Sequence, residues 1–100
     1  MLNLSRRVGQ RTVVYAPAGE IWITMCDICC AVRLPSGDLY YVYADDPLHV
    51  PIDDEQGIDI LFKPRTKAWH MNDSIGVEAP NDVRIMREEL LTRPLTRETQ

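Results

Sequence analysis

Three groups of residues in this 100-residue chain have types and spacings that bear on chemistry. The first is cationic. Arg6 and Arg7 close an apolar opening, MLNLSRRVGQ, with no acid before Glu20, and Arg87 stands near the other end in VRIMREEL. A guanidinium holds carboxylates and phosphates through paired donors and stacks on flat rings, so such arginines suit an anionic partner. The second group is thiol. Cys26-Asp27-Ile28-Cys29-Cys30 has the CxxC spacing, and His49 and His70 would complete a four-ligand zinc set. The third is the acidic run Asp53–Asp59, which lacks the alternating ligands and glycine placement of a calcium loop and reads as a solvated loop. No Ser, His and acid grouping at usable spacing supports catalysis, so the chain is not expected to be an enzyme.

A structural CxxC ligand pair sits on a tight turn, whereas Cys26 to Arg33 reads as strand, where the two sulfurs would diverge. With no second paired motif, neither a metal nor a cofactor is expected, and the thiols are expected to be buried or partly exposed. Three cysteines cannot all pair internally, and the opening lacks the apolar core of a secretory signal. Reduced thiols and a cytoplasmic location are the expectation. No apolar stretch approaches the roughly 20 residues of a membrane-spanning helix, so no membrane partner is expected. A domain of this size buries only roughly 60–65% of its unfolded surface, which fits a subunit of an oligomer.

The elements that must position these groups are mostly strands. Leu2, Leu4 and Val8 share one parity and Asn3, Ser5 and Arg7 the other, the pattern of a half-buried strand, with Gly9-Gln10 as a turn. Thr12–Tyr15 and Glu20–Met25 flank the turn Ala16-Pro17-Ala18-Gly19, giving a three-stranded meander. Strand character continues over Cys26–Arg33, turns at Pro35-Ser36-Gly37-Asp38 and resumes at Leu39–Tyr43. Leu48–Ile52, Ile58–Lys63 and Lys67–Met71 are further strand candidates. Ser74–Val77 and Val83–Arg87 are strands around the loop Glu78–Asp82. Glu88-Glu89-Leu90-Leu91 starts a helix with acids at its positive end, which Pro94 stops or kinks. The tail to Gln100 is polar.

MLNLSRRVGQ followed by TVVY, and IGVEAPNDVRIMREEL near the other end, resemble the bacterial carbon storage regulator family of small translational regulators. The likeness covers residues 1–28 and 74–91. It implies a mainly β fold: a small antiparallel five-stranded protomer in an intertwined homodimer, with a short C-terminal helix. Residues 29–68 then form an insertion between the third and fourth family strands, a β-hairpin or small β-subdomain within one domain spanning residues 1–100. The first strand of one subunit would lie beside the last strand of the other, so that the partner covers otherwise open strand edges.

The resemblance further implies binding of messenger RNA at GGA-containing single-stranded or hairpin-loop sites near ribosome-binding regions, with small regulatory RNA as a further partner. Single-stranded loops leave base edges free for hydrogen bonding. Carried over by motif, the RNA-binding residues are Leu4, Arg6 and Arg7 from one subunit with Ala79, Pro80, Val83, Ile85, Met86 and Arg87 from the other. Arg87 is the foremost of these. The chain departs from the family pattern at Met86, usually histidine, and at Asp73-Ser74, usually Val-Arg.

The formal charge of −4 runs against RNA binding. Residues 29–68 hold four cations and seven acids, net −3, leaving −1 for the remaining sixty, so most of the acidity belongs to the insertion. Tyr40, Tyr41, Tyr43, Phe62 and Trp69 gather in or beside it. Strand aromatics most often fill a core, and the acids around them discourage a nucleic-acid surface. A competing expectation is a protein-interaction role, in which the chain keeps the scaffold, binds RNA weakly, and engages a protein antagonist or a mixed dimer through the insertion or the C-terminal segment.

Overall fold

The structure, a computed structural model, describes residues 1–66 and 72–91. In chain order it holds strands β1 (Leu2–Ser5), β2 (Arg11–Ala16), β3 (Gly19–Met25), β4 (Cys30–Arg33), β5 (Leu39–Val42), β6 (Leu48–Pro51), β7 (Gly57–Lys63), β8 (Ser74–Glu78) and β9 (Arg84–Arg87), then helix α1 (Glu88–Leu91). The strand expected at residues 67–71, with Trp69 and His70, and the segment containing Pro94 lie outside the described residues. No described helix is long and apolar enough to cross a membrane.

The strands form two antiparallel sheets, a four-stranded one of order β1-β8-β7-β6 and a five-stranded one of order β5-β4-β3-β2-β9. Period-two patterning explains both faces. Ile21, Ile23 and Met25 of β3 are buried at alternate positions, as are Ile58, Ile60 and Phe62 of β7. These side chains join Leu4, Val14, Val32, Val42, Ile75 and Val77 in one hydrophobic cluster shared by the sheets. Each such side chain removed from water stabilises the fold by about 1.5–3 kcal/mol.

Residues 29–68 are therefore not an appended subdomain. They supply β4 and β5 to one sheet and β6 and β7 to the other, and Val32, Val42, Ile58, Ile60 and Phe62 sit in the common core. The physical reason is clearest in β4 and β7, whose alternate residues are buried, so that their apolar faces pack into the common core.

The two chain ends cross over. β1 pairs with β8, Leu2 opposite Val77 and Ser5 opposite Ser74, while β9 pairs with β2, Thr12 opposite Arg87 and Tyr15 opposite Arg84. The first strand thus completes the sheet made from late residues, and the last strand completes the sheet made from early ones.

Candidate nucleic-acid interface

β1 and β9 are edge strands of different sheets, and the residues flanking them meet at two places. At one end of the pair, Met1 and Leu2 share a groove with Ala79, Pro80, Val83 and Ile85. At the other, just past β1, the Arg6 guanidinium meets the Glu89 carboxylate: its two terminal nitrogens donate to Oε2 at 2.8 Å and Oε1 at 2.6 Å. The same side chain donates to the Arg11 carbonyl at 2.9 Å, and its Nε is buried without a hydrogen-bond partner among the described residues. Among the described residues no further strand pairs with the outer edge of β1 or of β9, so each leaves backbone donors and acceptors open.

The nine residues expected to bind RNA divide by environment. Ala79, Pro80, Val83 and Ile85 line the groove, half-buried, and Met86 is also half-buried, its sulfur 3.2 Å from the Arg84 guanidinium. Arg7 and Arg87 are exposed, and among the described residues neither makes a salt bridge. Leu4 and Arg6 are turned inward. Leu4 packs in the core, and Arg6 is only 3% exposed. In this chain neither side chain is presented at the surface, and a guanidinium whose terminal nitrogens are already bonded to a carboxylate has no fork left for a base or phosphate.

The alternation expected through Val8 ends at Ser5. Arg7-Val8-Gly9-Gln10 is a turn closed by Gln10 N–H donating to the Arg7 carbonyl at 3.0 Å, with Gly9 at φ +91°. That φ at the third position is what a type II turn requires of glycine. Gly9 N–H donates to the Met25 carbonyl at 2.7 Å and Met25 N–H to the Gln10 carbonyl at 3.0 Å, so the end of β3 fixes the turn and holds Arg7 outward. Val8 is exposed as a result.

The acids of α1 are balanced by arginines. Arg6 holds the Glu89 carboxyl down at about 2, chiefly by its hydrogen bonds, and Arg11 lowers that of Glu88 in the same way. Arg11 also stacks over Trp22, 4.7 Å from the ring centroid. Among the described residues Arg7, Arg84 and Arg87 are exposed near these two edges, with Arg84 lying 5.5 Å over the Tyr15 ring.

The thiols are buried or partly exposed as expected, but the placement of two of them and the exposure of three tyrosines differ from expectation. Cys26 and Cys29 lie on the β3–β4 turn, not in a strand, with Cys26 N–H donating to the Cys29 carbonyl at 2.9 Å. Asp27-Ile28 carries no glycine or proline, which is why the turn is silent in the sequence. His49 lies on β6 in the other sheet, 2.7 Å from Asp59, and no three His, Cys, Asp or Glu converge as a metal site among the described residues. Asp53 Oδ1 accepts the Glu55 and Gln56 N–H groups at 2.8 and 2.7 Å, so this acid shapes its own loop. Of the aromatics expected to fill a core, Phe62 does, whereas Tyr40, Tyr41 and Tyr43 are exposed in and just beyond edge strand β5.

Compared with protein families, with curated proteins and with solved structures, the chain has no match.

Proposed function

We propose that this protein is a non-enzymatic, sequence-specific mRNA-binding regulator of translation, recognising GGA in single-stranded or hairpin-loop sites. The observation that carries the reading is the meeting of the two motif-bearing ends: MLNLSRR and VRIMREE are tied by Arg6 and Glu89. There the groove of Ala79, Pro80, Val83 and Ile85 receives base faces, and the open backbone edges of β1 and β9 read base edges. Arg7 and Arg87 supply the phosphate and stacking contacts. Arg6 acts through Glu89 as a positioning residue.

The two motif-bearing ends meet within one chain, which supports a reading in which a single molecule binds one RNA. The intertwined homodimer is an exchanged form of the same pairing, β9 alone reaching the partner's β2 in unchanged register and so coming to the partner's β1 side, as domain swapping allows. Sedimentation of the purified chain separates the two forms. A fluorescence titration with a GGA-loop hairpin against one of permuted loop sequence tests the RNA reading.

A second reading is favoured by one observation. Leu39, Tyr40, Tyr41 and Tyr43 expose 43–56% of their surface beside the open edge of β5, a composition typical of protein interfaces. On this reading the chain modulates RNA regulation by binding a protein antagonist there. Stoichiometric co-purification of a protein without RNA would favour it.

A further inference from the structure

The β3–β4 hairpin brings two of the three thiols face to face. Met25 is opposite Cys30 in the ladder, and one step further along the same register Cys26 is opposite Cys29, with Asp27-Ile28 as the two-residue loop. Directly opposed residues in an antiparallel pair project to the same face, with Cα atoms about 4.5–5.5 Å apart. A disulfide needs a Cα separation of about 4.4–6.8 Å. Cys30, the next residue, projects to the other face and is fully buried in the core.

From this opposition we propose that Cys26 and Cys29 form a reversible intramolecular disulfide, making the hairpin a thiol–disulfide redox site. Cys26 is partly exposed and is the group that meets an external oxidant, while Cys29, 6% exposed, is the less accessible of the two. The oxidant is a low-molecular-weight disulfide. The Cys26 thiolate attacks one of its sulfurs, breaking the S–S bond and releasing one thiol. Cys29 then loses its proton to solvent and attacks Cys26 Sγ, expelling the second thiol. Two protein S–H groups are oxidised, and the reagent's S–S bond is reduced to two thiols.

Three further features fit this division of labour. Burial first, and then the neighbouring Cys26, push the Cys29 thiol up, which suits a resolving thiol shielded from solvent. Burial pushes Cys30 up to about 12, so it does not compete. Asp27 and Ile28 both keep negative φ, whereas tight two-residue hairpins favour positive φ, so the hairpin end is not locked in place by its own turn. The site also abuts the arginine turn: Asp27 and Met25 line one cleft with Arg6, Arg7 and Val8.

The test uses the full chain equilibrated with oxidised and reduced glutathione at graded ratios, acid-quenched and analysed by mass spectrometry with fragmentation. The expected product is a chain lighter by two hydrogen atoms, linked Cys26 to Cys29, and returned to the dithiol by excess reduced glutathione. The half-exposed substitution Cys26→Ser should abolish it while leaving the circular dichroism spectrum unchanged. A persistent glutathione adduct on Cys26, a link through Cys30, or two unreacted thiols at the oxidising end would overturn the proposal.

Discussion

Arg6 and Glu89, 83 positions apart, form a two-pronged ion pair with N–O distances of 2.8 and 2.6 Å, and the arginine side chain is 2% exposed. The pair joins the segment after β1 to the helix after β9, and so holds together the two edges on which the proposed RNA surface depends. Glu89→Gln leaves a buried guanidinium without its counter-charge. Glu89 itself is half exposed and solvent screens the pair, so the expected loss is about 1–3 kcal/mol, toward the lower end. Urea unfolding monitored by Trp fluorescence measures it.

The same pair sets an acid limit. The folded chain holds the Glu89 carboxyl at about 2, below its ordinary 4.5, so as pH falls the unfolded chain takes up this proton first. The stabilisation is complete above about pH 4.5 and is lost progressively toward about pH 2. Urea midpoints taken across that window should fall more steeply for the wild type than for Glu89→Gln. Parallel curves would show that the carboxylate is not held by Arg6.

Residues 29–68 belong to the common core, so their loss should be global. Ile60→Ala, at a fully buried position on β7, should cost about 2–5 kcal/mol. Deletion of residues 33–67 removes β5, β6 and β7 together with Val42, Ile58, Ile60 and Phe62, and should yield a chain without cooperative thermal unfolding. A deletion variant that folds and binds RNA as the full chain does would show the insertion to be dispensable.

Much of this arrangement was legible in the sequence because alternation is local. Thr12–Tyr15, Glu20–Met25 and Ile58–Lys63 each declare a strand, and Pro35-Ser36-Gly37-Asp38 declares the turn between β4 and β5. What was hidden depends on distant partners. Arg6 and Arg7 look equivalent in the chain, and only a carboxylate 83 residues away draws one inward while Gly9 and Met25 hold the other out. The tyrosines of β5 have core composition, yet β5 ends its sheet, and among the described residues no further strand pairs beside it. The Cys26–Cys29 turn has no glycine or proline to announce it. Nothing local marked residues 29–68 as shared between two sheets, since that follows from pairing with β3 and β8.

The turn that presents Arg7 gives a separate handle. Gly9 adopts φ +91°, where any side chain is strained, so Gly9→Ala should cost about 1–2 kcal/mol. No atom lies within 4 Å of the added Cβ, so the cost is one of backbone conformation and not of crowding. RNA affinity measured under conditions where the variant stays folded should fall as Arg7 is displaced. Unchanged affinity would place Arg7 outside the contact.

Reading of GGA by the residues around β1 and β9 is tested by a paired titration of the wild type and Arg87→Ala with a GGA-loop hairpin and a permuted-loop control at fixed salt. The wild type should prefer the GGA hairpin, and Arg87→Ala should lose about 1–3 kcal/mol on that hairpin with little change on the control. Equal weak binding of both hairpins by the wild type, with no effect of Arg87→Ala, would contradict it.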